Sequence, residues 1–434
     1  MADVRPFSGI RYGPDLTSQL AALVTPPYDV ISPEAQTAYY ERHPYNIIRL
    51  ELGRDLAGDD TLNNRYTRAA ATFAEWRMQG VLTQDAHQAF YLYRQRFHSG
   101  GKEYWRTSLL GRVRLEPWEA GVVLPHEHTM AKPKDDRLKL LRACAANLSP
   151  IMSLYEDADG TLRQILEPLA AQRPTALFTD EAGEDHWLLP ITDGVHLQTI
   201  QHFFADRRLF IADGHHRYET ALAYREELRE MRKTLHPDDA ANFVLMSLTA
   251  FEDAGLVILP THRLVQGLPA ERVSGLAERL SQDFLVERLP ADVAPAQALA
   301  ALDAEAAPGV FILVMADEAL RLQVRPEALR KMAAGGRSVP WQALDVAILQ
   351  TLVVNEALGL DAEAIVQGSF LSYSRDPLAA VRSVRERTAQ LAALVRPTRV
   401  DQLREVALVG DRMPQKSTYF YPKLITGLVI NPLW

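Results

Sequence analysis

The chain has 434 residues, 47% hydrophobic and 24% charged, with a formal net charge of −8. That length exceeds one ordinary core and predicts two or three lobes, and a mean hydropathy of −0.14 excludes fibrous, disordered and polytopic membrane classes. The acidic balance also excludes a nucleic-acid binder that works through bulk positive charge, while leaving room for a local basic pocket. The single cysteine, Cys144, cannot close an internal disulfide, and its apolar neighbours in LLRACAANLSP suit a buried filler better than a catalytic thiol. The segment MADVRPFSGIRYGPD lacks the features of a signal peptide, and apolar runs such as Phe311–Ala316 are too short to span a bilayer. The expected compartment is the cytoplasm.

In chain order, Pro26, Pro27 and Pro33 make TPPYDVISPEA a rigid stretch, with Tyr28 and Asp29 as either turn or pocket residues. Thr61–Gln79 reads as an amphipathic helix with Tyr66, Ala69, Ala70, Phe73 and Trp76 on one stripe and Gly80 as its stop. Gln88–Leu115 reads as a hairpin turning at Ser99-Gly100-Gly101-Lys102. A charged loop from His126 to Arg137 precedes a helix through Leu138–Ala146. Arg208–Ala212 has the apolar run of a buried strand and passes through Asp213-Gly214-His215-His216 into a helix. Asn242–Leu248 and Leu256–Pro260 predict two more strands, and Glu271–Met332 a scaffold of helix, strand, helix, strand and strand. Leu344–Leu358 predicts a helix ending at Gly359, and the tail Gly410–Pro432 is dense in Tyr, Lys, Pro and Thr. The expected fold is α+β (mixed α/β) and multi-lobed, with regions 1–160, 161–270 and 271–434.

Four of the twelve histidines fall in two clusters, His126/His128 and His215/His216. In the second, a glycine between strand and helix permits a tight turn, and a helix N-terminus there suits an anion. Arg217 offers a planar fork for phosphate, and Asp213 a ligand for Mg²⁺ or an orienter of histidine. The plainer alternative is helix capping by Asp213. In the first cluster, LPHEHTMAKPKDDRLKLL, His126, Glu127 and His128 are candidate bases, and Lys132, Lys134 and Arg137 are cations for a transferring phosphoryl group. A solvated charged loop is the alternative. Zinc on His126, His128, Asp213, His215 and His216 is a second possibility. GDRMPQKSTYFYPK fails as a Walker A loop because Gln415 replaces the glycine before Lys416 and Ser417, which remain either isolated phosphate donors or part of an edge strand. Thr261-His262-Arg263 could add to an anion pocket.

PPYDVIS (26–32), PHEHT (125–129), PKDDRLKLL (133–141), NLSPI (147–151), ADGHHRYETAL (212–222), LPTHR (259–263) and MPQKSTYFYPKL (413–424) together resemble the DUF1015 family of bacteria and archaea, in the family's order. The family is named for having no assigned function. DGHHR between strand and helix is in turn similar to the Gly-x-x-Arg signature of the ParB/sulfiredoxin superfamily, which includes free-serine kinases. That likeness implies that Gly214, His215, His216 and Arg217 cradle nucleotide phosphates. His215 stands where sulfiredoxins carry their reactive cysteine, so reductase chemistry is not expected. The resulting expectation is a kinase-type enzyme using ATP or ADP with Mg²⁺ on a small hydroxylated metabolite, with serine implied by the resemblance. His126, Glu127, Asp213, His215 and His216 form its catalytic set, and Gly214, Arg217, Lys132, Lys134, Arg137, Lys416 and Ser417 its phosphate-binding set. A phosphomonoester hydrolase acting on phosphoserine, a metal-dependent hydrolase with zinc, and a non-catalytic nucleotide-binding protein are the alternatives. No membrane or nucleic-acid partner is expected.

Overall fold

Hydrophobic alternation and helical stripes assemble into two units in a computed structural model of the chain. The structure describes every residue except 130, 291, 293, 304–306, 362–363 and 366–369, and omits the side chains of 131, 132, 296, 301 and 303. The first unit comprises Met1–Pro125, Thr129–Val257 and Pro422–Trp434; the second comprises His126–His128 and Ile258–Tyr421. Both mix helices with sheets, as the sequence predicts.

The first unit is built on a nine-stranded sheet. Its strands are β1 (Val4–Arg5), β2 (Phe90–Ser99), β3 (Lys102–Arg114), β4 (Val123–Leu124), β5 (Ile151–Tyr155), β6 (Ala176–Thr179), β7 (Asp185–Ile191), β8 (Leu209–Asp213) and β9 (Phe243–Ala250). They run in the order β4–β8–β5–β9–β3–β2–β7–β6, with β1 added against β3. The pairs β4/β8 and β5/β9 are parallel and the other pairs antiparallel. The predicted hairpin forms as β2 and β3, with Ser99 opposite Lys102 across the two glycines.

Strand periodicity separates the sheet's two faces. Phe90, Leu92, Leu109, Val113, Val244, Met246 and Leu248 turn one way into the core. There they meet helix α3 (Thr161–Ala170) through Leu162 and Leu166, and helix α4 (Gly194–Phe204) through Ile200 and Phe204. The alternate residues Tyr93, Gln95, Arg106, Ser108 and Thr249 are also buried, so the opposite face carries a polar cluster. Ser108 Oγ and Thr249 Oγ1 lie 2.8 Å apart on that face.

Two helices depart from their expected bounds. Helix α1 runs Arg65–Met78 rather than from Thr61, because Asp60 Oδ1 accepts the amides of Leu62 and Asn63 and holds that stretch in a turn. Asn64 then caps the helix, accepting from the amides of Tyr66 and Thr67. The charged segment expected to stay a loop as far as Arg137 is helical from Ala131, in α2 (Ala131–Cys144). Arg137, Leu140, Leu141 and Cys144 bury on one helical stripe, and Pro133 lies in the first turn, where a missing amide costs nothing. Helix α5 (His215–Arg232) follows β8 as predicted. The strand expected over Leu256–Pro260 shortens to Val257–Ile258.

The second unit carries a six-stranded antiparallel sheet. Its strands are β10 (His262–Val265), β11 (Phe284–Leu289), β12 (Val310–Met315), β13 (Ala319–Val324), β14 (Leu371–Ser374) and β15 (Leu391–Leu394), in the order β11–β13–β12–β15–β10–β14. The helix expected over Leu344–Leu358 begins as an α-turn at Asp345 and continues as a π-helix over Leu349–Ala357. It stops at Gly359, whose φ of +67° favours glycine. Among the described residues, no helix is long and apolar enough to cross a membrane.

Candidate functional site

In the first unit β8 ends at Asp213, and the chain turns through Gly214 at φ +97° into α5. Two constraints select glycine there. The backbone is left-handed, and a Cβ would sit 2.9 Å from Nε and Nη2 of Arg217, whose guanidinium lies across the turn. Asp213 does not cap α5, which has no side-chain cap. Its carboxylate instead holds two cations: Lys423 Nζ at 2.8 Å on Oδ1 and Arg217 Nη2 at 3.0 Å on Oδ2. Burial raises the carboxyl's proton affinity, but Lys423 and Arg217 outweigh it and hold Asp213 well below the ordinary carboxylate range.

Lys423 is placed by the polar face of the sheet. Arg106 on β3 donates to the Pro422 carbonyl at 2.6 Å, and Gln95 on β2 donates to the Lys423 carbonyl at 3.2 Å. Gln95 and Arg106 are cross-strand partners and bond each other. The backbone of the C-terminal segment is thus fixed on two buried side chains, and its lysine reaches the end of β8.

Arg217 continues the network. Its Nη1 donates to the Pro150 carbonyl at 2.5 Å and to Ser149 Oγ at 3.3 Å. Ser149 Oγ donates in turn to Glu51 Oε1 at 3.3 Å, and Arg137 Nη1 lies 3.3 Å from the same oxygen. Glu51 and Arg137 are 2% and 6% exposed, a buried ion pair. Burial pushes the Glu51 carboxyl up despite the opposing charges of Arg137 and Arg217. Arg137 also binds Asp136 and lies 4.0 Å over the ring of Tyr28, whose hydroxyl burial pushes up to about 12. Asp136 in turn accepts from Tyr66 at 2.8 Å and pairs with Arg65. Charges of alternating sign therefore run from Arg65 to Lys423. Glu51, Arg137, Ser149, Arg217 and Thr220 line a cavity of about 50 Å³. Among the described residues, Thr220 Oγ1 has no hydrogen-bond partner.

Of the residues singled out in the sequence, Asp213, Gly214, Arg217 and Arg137 join this network. His215 is buried, and His216 is half-buried at the first turn of α5. Lys134 is neutralised by Glu219 at 2.9 Å, and Thr129 donates to the same carboxylate at 2.6 Å. The side chain of Lys132 lies outside the described residues. Sequence reasoning missed Glu51, which no motif marks. Ser149 and Lys423 stood inside the quoted motifs NLSPI and MPQKSTYFYPKL without being chosen.

His126, Glu127, Lys416 and Ser417 belong to the second unit. His126 is fully buried, with Nε2 3.0 Å from Thr418 Oγ1 and its carbonyl accepting from Met413 N at 2.7 Å. Glu127 Oε1 accepts from Lys416 N at 3.0 Å, while the Lys416 residue is exposed at φ +58°. Ser417 is buried and its hydroxyl donates to the Pro414 carbonyl at 2.5 Å. Arg263 is fully buried beneath this segment, 3.4 Å from the Lys416 carbonyl, and burial lowers its pKa to about 10.

Among the described residues, the one group of three or more His, Cys, Asp or Glu side chains with ligand atoms close enough for a metal is Asp180, Glu184 and His186. The five residues suggested for zinc form no such group. At Asp213 both oxygens carry cations, so the donor set present does not fit a resident Mg²⁺.

A family model described as "Protein of unknown function (DUF1015)" matches residues 4–347. No curated protein matches. Among solved structures, a free serine kinase in complex with AMP is similar at 12% identity and TM-score 0.34, covering 69% of this chain and 83% of that one. A conserved hypothetical protein from Pyrococcus furiosus is similar at 12% identity and TM-score 0.34, covering 70% and 89%. SbnI with a C-terminal truncation, from Staphylococcus aureus, is similar at 11% identity and TM-score 0.35, covering 73% and 85%.

Proposed function

The chain belongs to the DUF1015 family, whose description assigns no activity, and from the turn at the end of β8 we propose that it is a nucleotide-dependent phosphotransferase acting on a small hydroxylated metabolite, with serine the first acceptor to test. The observation that carries this reading is the sequence of buried strand, left-handed Gly214 and 18-residue helix, with Arg217 and Lys423 flanking the turn. The backbone at a glycine can approach a phosphate closely, and the positive end of a helix dipole favours it. Arg217 and Lys423 are tethered before any ligand arrives, so little conformational entropy remains to be lost on binding. The phosphate-binding role falls on Gly214, His215, His216, Arg217 and Lys423, with Arg137 acting through Glu51 and Ser149.

Phosphoryl transfer needs positioning and charge stabilisation more than covalent help from the protein. With both Asp213 oxygens on cations, the charge that would meet the nucleotide's phosphates comes from Arg217 and Lys423. Lys423 and Arg217 offer charge to the transferring group while Asp213, which keeps its negative charge throughout the neutral range, holds them in place.

The test pairs binding with turnover. ATP at about 100 times its dissociation constant should stabilise the protein by about 2.7 kcal/mol, and Lys423→Met should abolish most of that shift. Transfer to serine should depend on nucleotide. A wild-type protein that neither shifts with ATP or ADP nor turns over refutes the reading. Release of phosphate from phosphoserine without any nucleotide replaces it with a hydrolase.

A further inference from the structure

The first unit contains a second and larger cavity, of about 420 Å³, bounded by β2, β3, α3 and the end of β9. It shares no lining residue with the cavity at Glu51. Its size is that of small-metabolite pockets. We infer that it binds a zwitterionic α-amino acid with an apolar side chain, the carboxylate on Arg94 and the ammonium facing Glu252 and Asp253.

The anion end rests on Arg94. Its guanidinium stacks over the Trp105 indole at 4.3 Å, which fixes the plane of the fork. Its Nε is buried without a hydrogen-bond partner among the described residues. A guanidinium held flat at a cavity wall with one N–H unsatisfied is a carboxylate receptor awaiting its partner.

The cation end rests on the opposite sign of charge. Asp157 spends its carboxylate on the amides of Leu162 and Arg163, at 3.1 and 2.9 Å. Asp253 takes the amides of Thr107 and Gly255, and Glu252 gives one oxygen to the Asp157 amide at 3.0 Å. The second oxygen of Glu252 and the net negative charge of this rim are available to an ammonium group. Burial pushes the Asp253 carboxyl up, and the charge of Arg94 works against that shift. A simple anion would meet four carboxylates against two arginines, and a simple cation would meet Arg94. A molecule carrying both charges satisfies both walls. Leu166, Ala170 and Ala250 supply the apolar lining for its side chain.

The experiment titrates L-phenylalanine and L-leucine into the full-length protein, following calorimetry and the fluorescence of Trp105 with Trp105→Phe as the control. Phenethylamine and 3-phenylpropionate each remove one charge. The expected result is saturable binding of the amino acids, weaker by about 10-fold or more in Arg94→Met, with neither single-charge analogue competing. Glu252→Gln keeps the acceptor for the Asp157 amide and should weaken the amino acids without improving the acid. It reads the ammonium end independently should Arg94→Met fail to fold by circular dichroism. Absence of binding at millimolar concentration overturns the inference, as does phenethylamine binding as tightly as phenylalanine, or affinity unchanged in both variants. None of these outcomes depends on nucleotide, so the phosphotransferase reading stands or falls separately.

Discussion

Replacing Arg137 with methionine tests whether the charge chain in the first unit is held by mutual neutralisation. Arg137 Nη1 lies 3.0 Å from the Glu51 carbonyl and 3.3 Å from Oε1, and its Nε lies 2.7 Å from Asp136 Oδ2. Methionine keeps most of the aliphatic stem and removes the charge, leaving Glu51 buried with Ser149 as its hydrogen-bonding side chain. Removing one partner of a buried pair costs about 3–5 kcal/mol. Protonation of Glu51 caps the loss, so the lower end applies at pH 7. In a unit of this size that corresponds to a fall in Tm of roughly 2–4 °C per kcal/mol, a loss near 10 °C. The double variant Arg137→Met with Glu51→Leu removes both charges and should recover at least half of it.

The pH dependence carries a definite sign. The folded-state pKa of Glu51 is raised by burial, so its contribution is most favourable below the ordinary carboxylate range and is lost as pH rises through the folded value. Without Arg137 that loss deepens, so the single variant should weaken more steeply than wild type as pH rises above the ordinary carboxylate range, and the double variant should not. Urea titrations over that rise in pH give both numbers. A single variant within about 1 kcal/mol of wild type at pH 7, or a double variant no more stable than the single, refutes the argument.

Gly214→Ala places a Cβ 2.9 Å from the Arg217 guanidinium at φ +97°; it should cost about 1–3 kcal/mol and weaken the proposed nucleotide binding with it, while an unchanged melt would show that the turn relaxes freely. His262 in the second unit is held neutral, its pKa lowered by burial to about 4, with Nδ1 accepting from Val395 N at 3.2 Å. Its contribution is full above the unfolded value near 6.5 and is lost as pH falls through 4, about 3 kcal/mol in all; His262→Phe should flatten that part of the acid limb, and an unaltered limb would assign it to other groups. Burial pushes the Cys144 thiol up to about 12, so a thiol reagent at pH 8 should label the protein only after denaturation, and rapid native labelling would contradict that burial.

The parts of the fold that the sequence made legible are those with a local code. Period-2 alternation and two glycines specify the β2/β3 hairpin, and an apolar run followed by Asp213-Gly214 specifies the strand, turn and helix at the site. Departures occur where a local side-chain bond competes, as at Asp60, or where a charged residue is buried. Arg137 reads as solvent-facing by composition, yet it forms the buried stripe of α2 together with Leu140, Leu141 and Cys144. Glu51 explains why, and nothing near Glu51 in the sequence announces it: a buried ion pair between positions 86 residues apart has no periodicity to read.

The tail shows how a motif can be noticed for the wrong residues. Lys416 and Ser417 attract attention because they imitate the end of a phosphate-binding loop. In the structure the Lys416 residue is exposed, and the Ser417 hydroxyl is spent on the Pro414 carbonyl. Lys423 is the lysine of that segment that meets the Asp213 turn. Its backbone is seized by Arg106 and Gln95, two polar residues buried on a sheet face that alternation alone would have assigned to apolar side chains. Burying an arginine and a glutamine costs desolvation that only satisfied hydrogen bonds offset. Arg106 and Gln95 offset part of that cost by bonding each other and the carbonyls of Pro422 and Lys423. The polar face, the position of the tail and the charge at the end of β8 are therefore one arrangement: apolar residues at 95 and 106 would leave the sheet intact but remove the anchors that bring the lysine to Asp213.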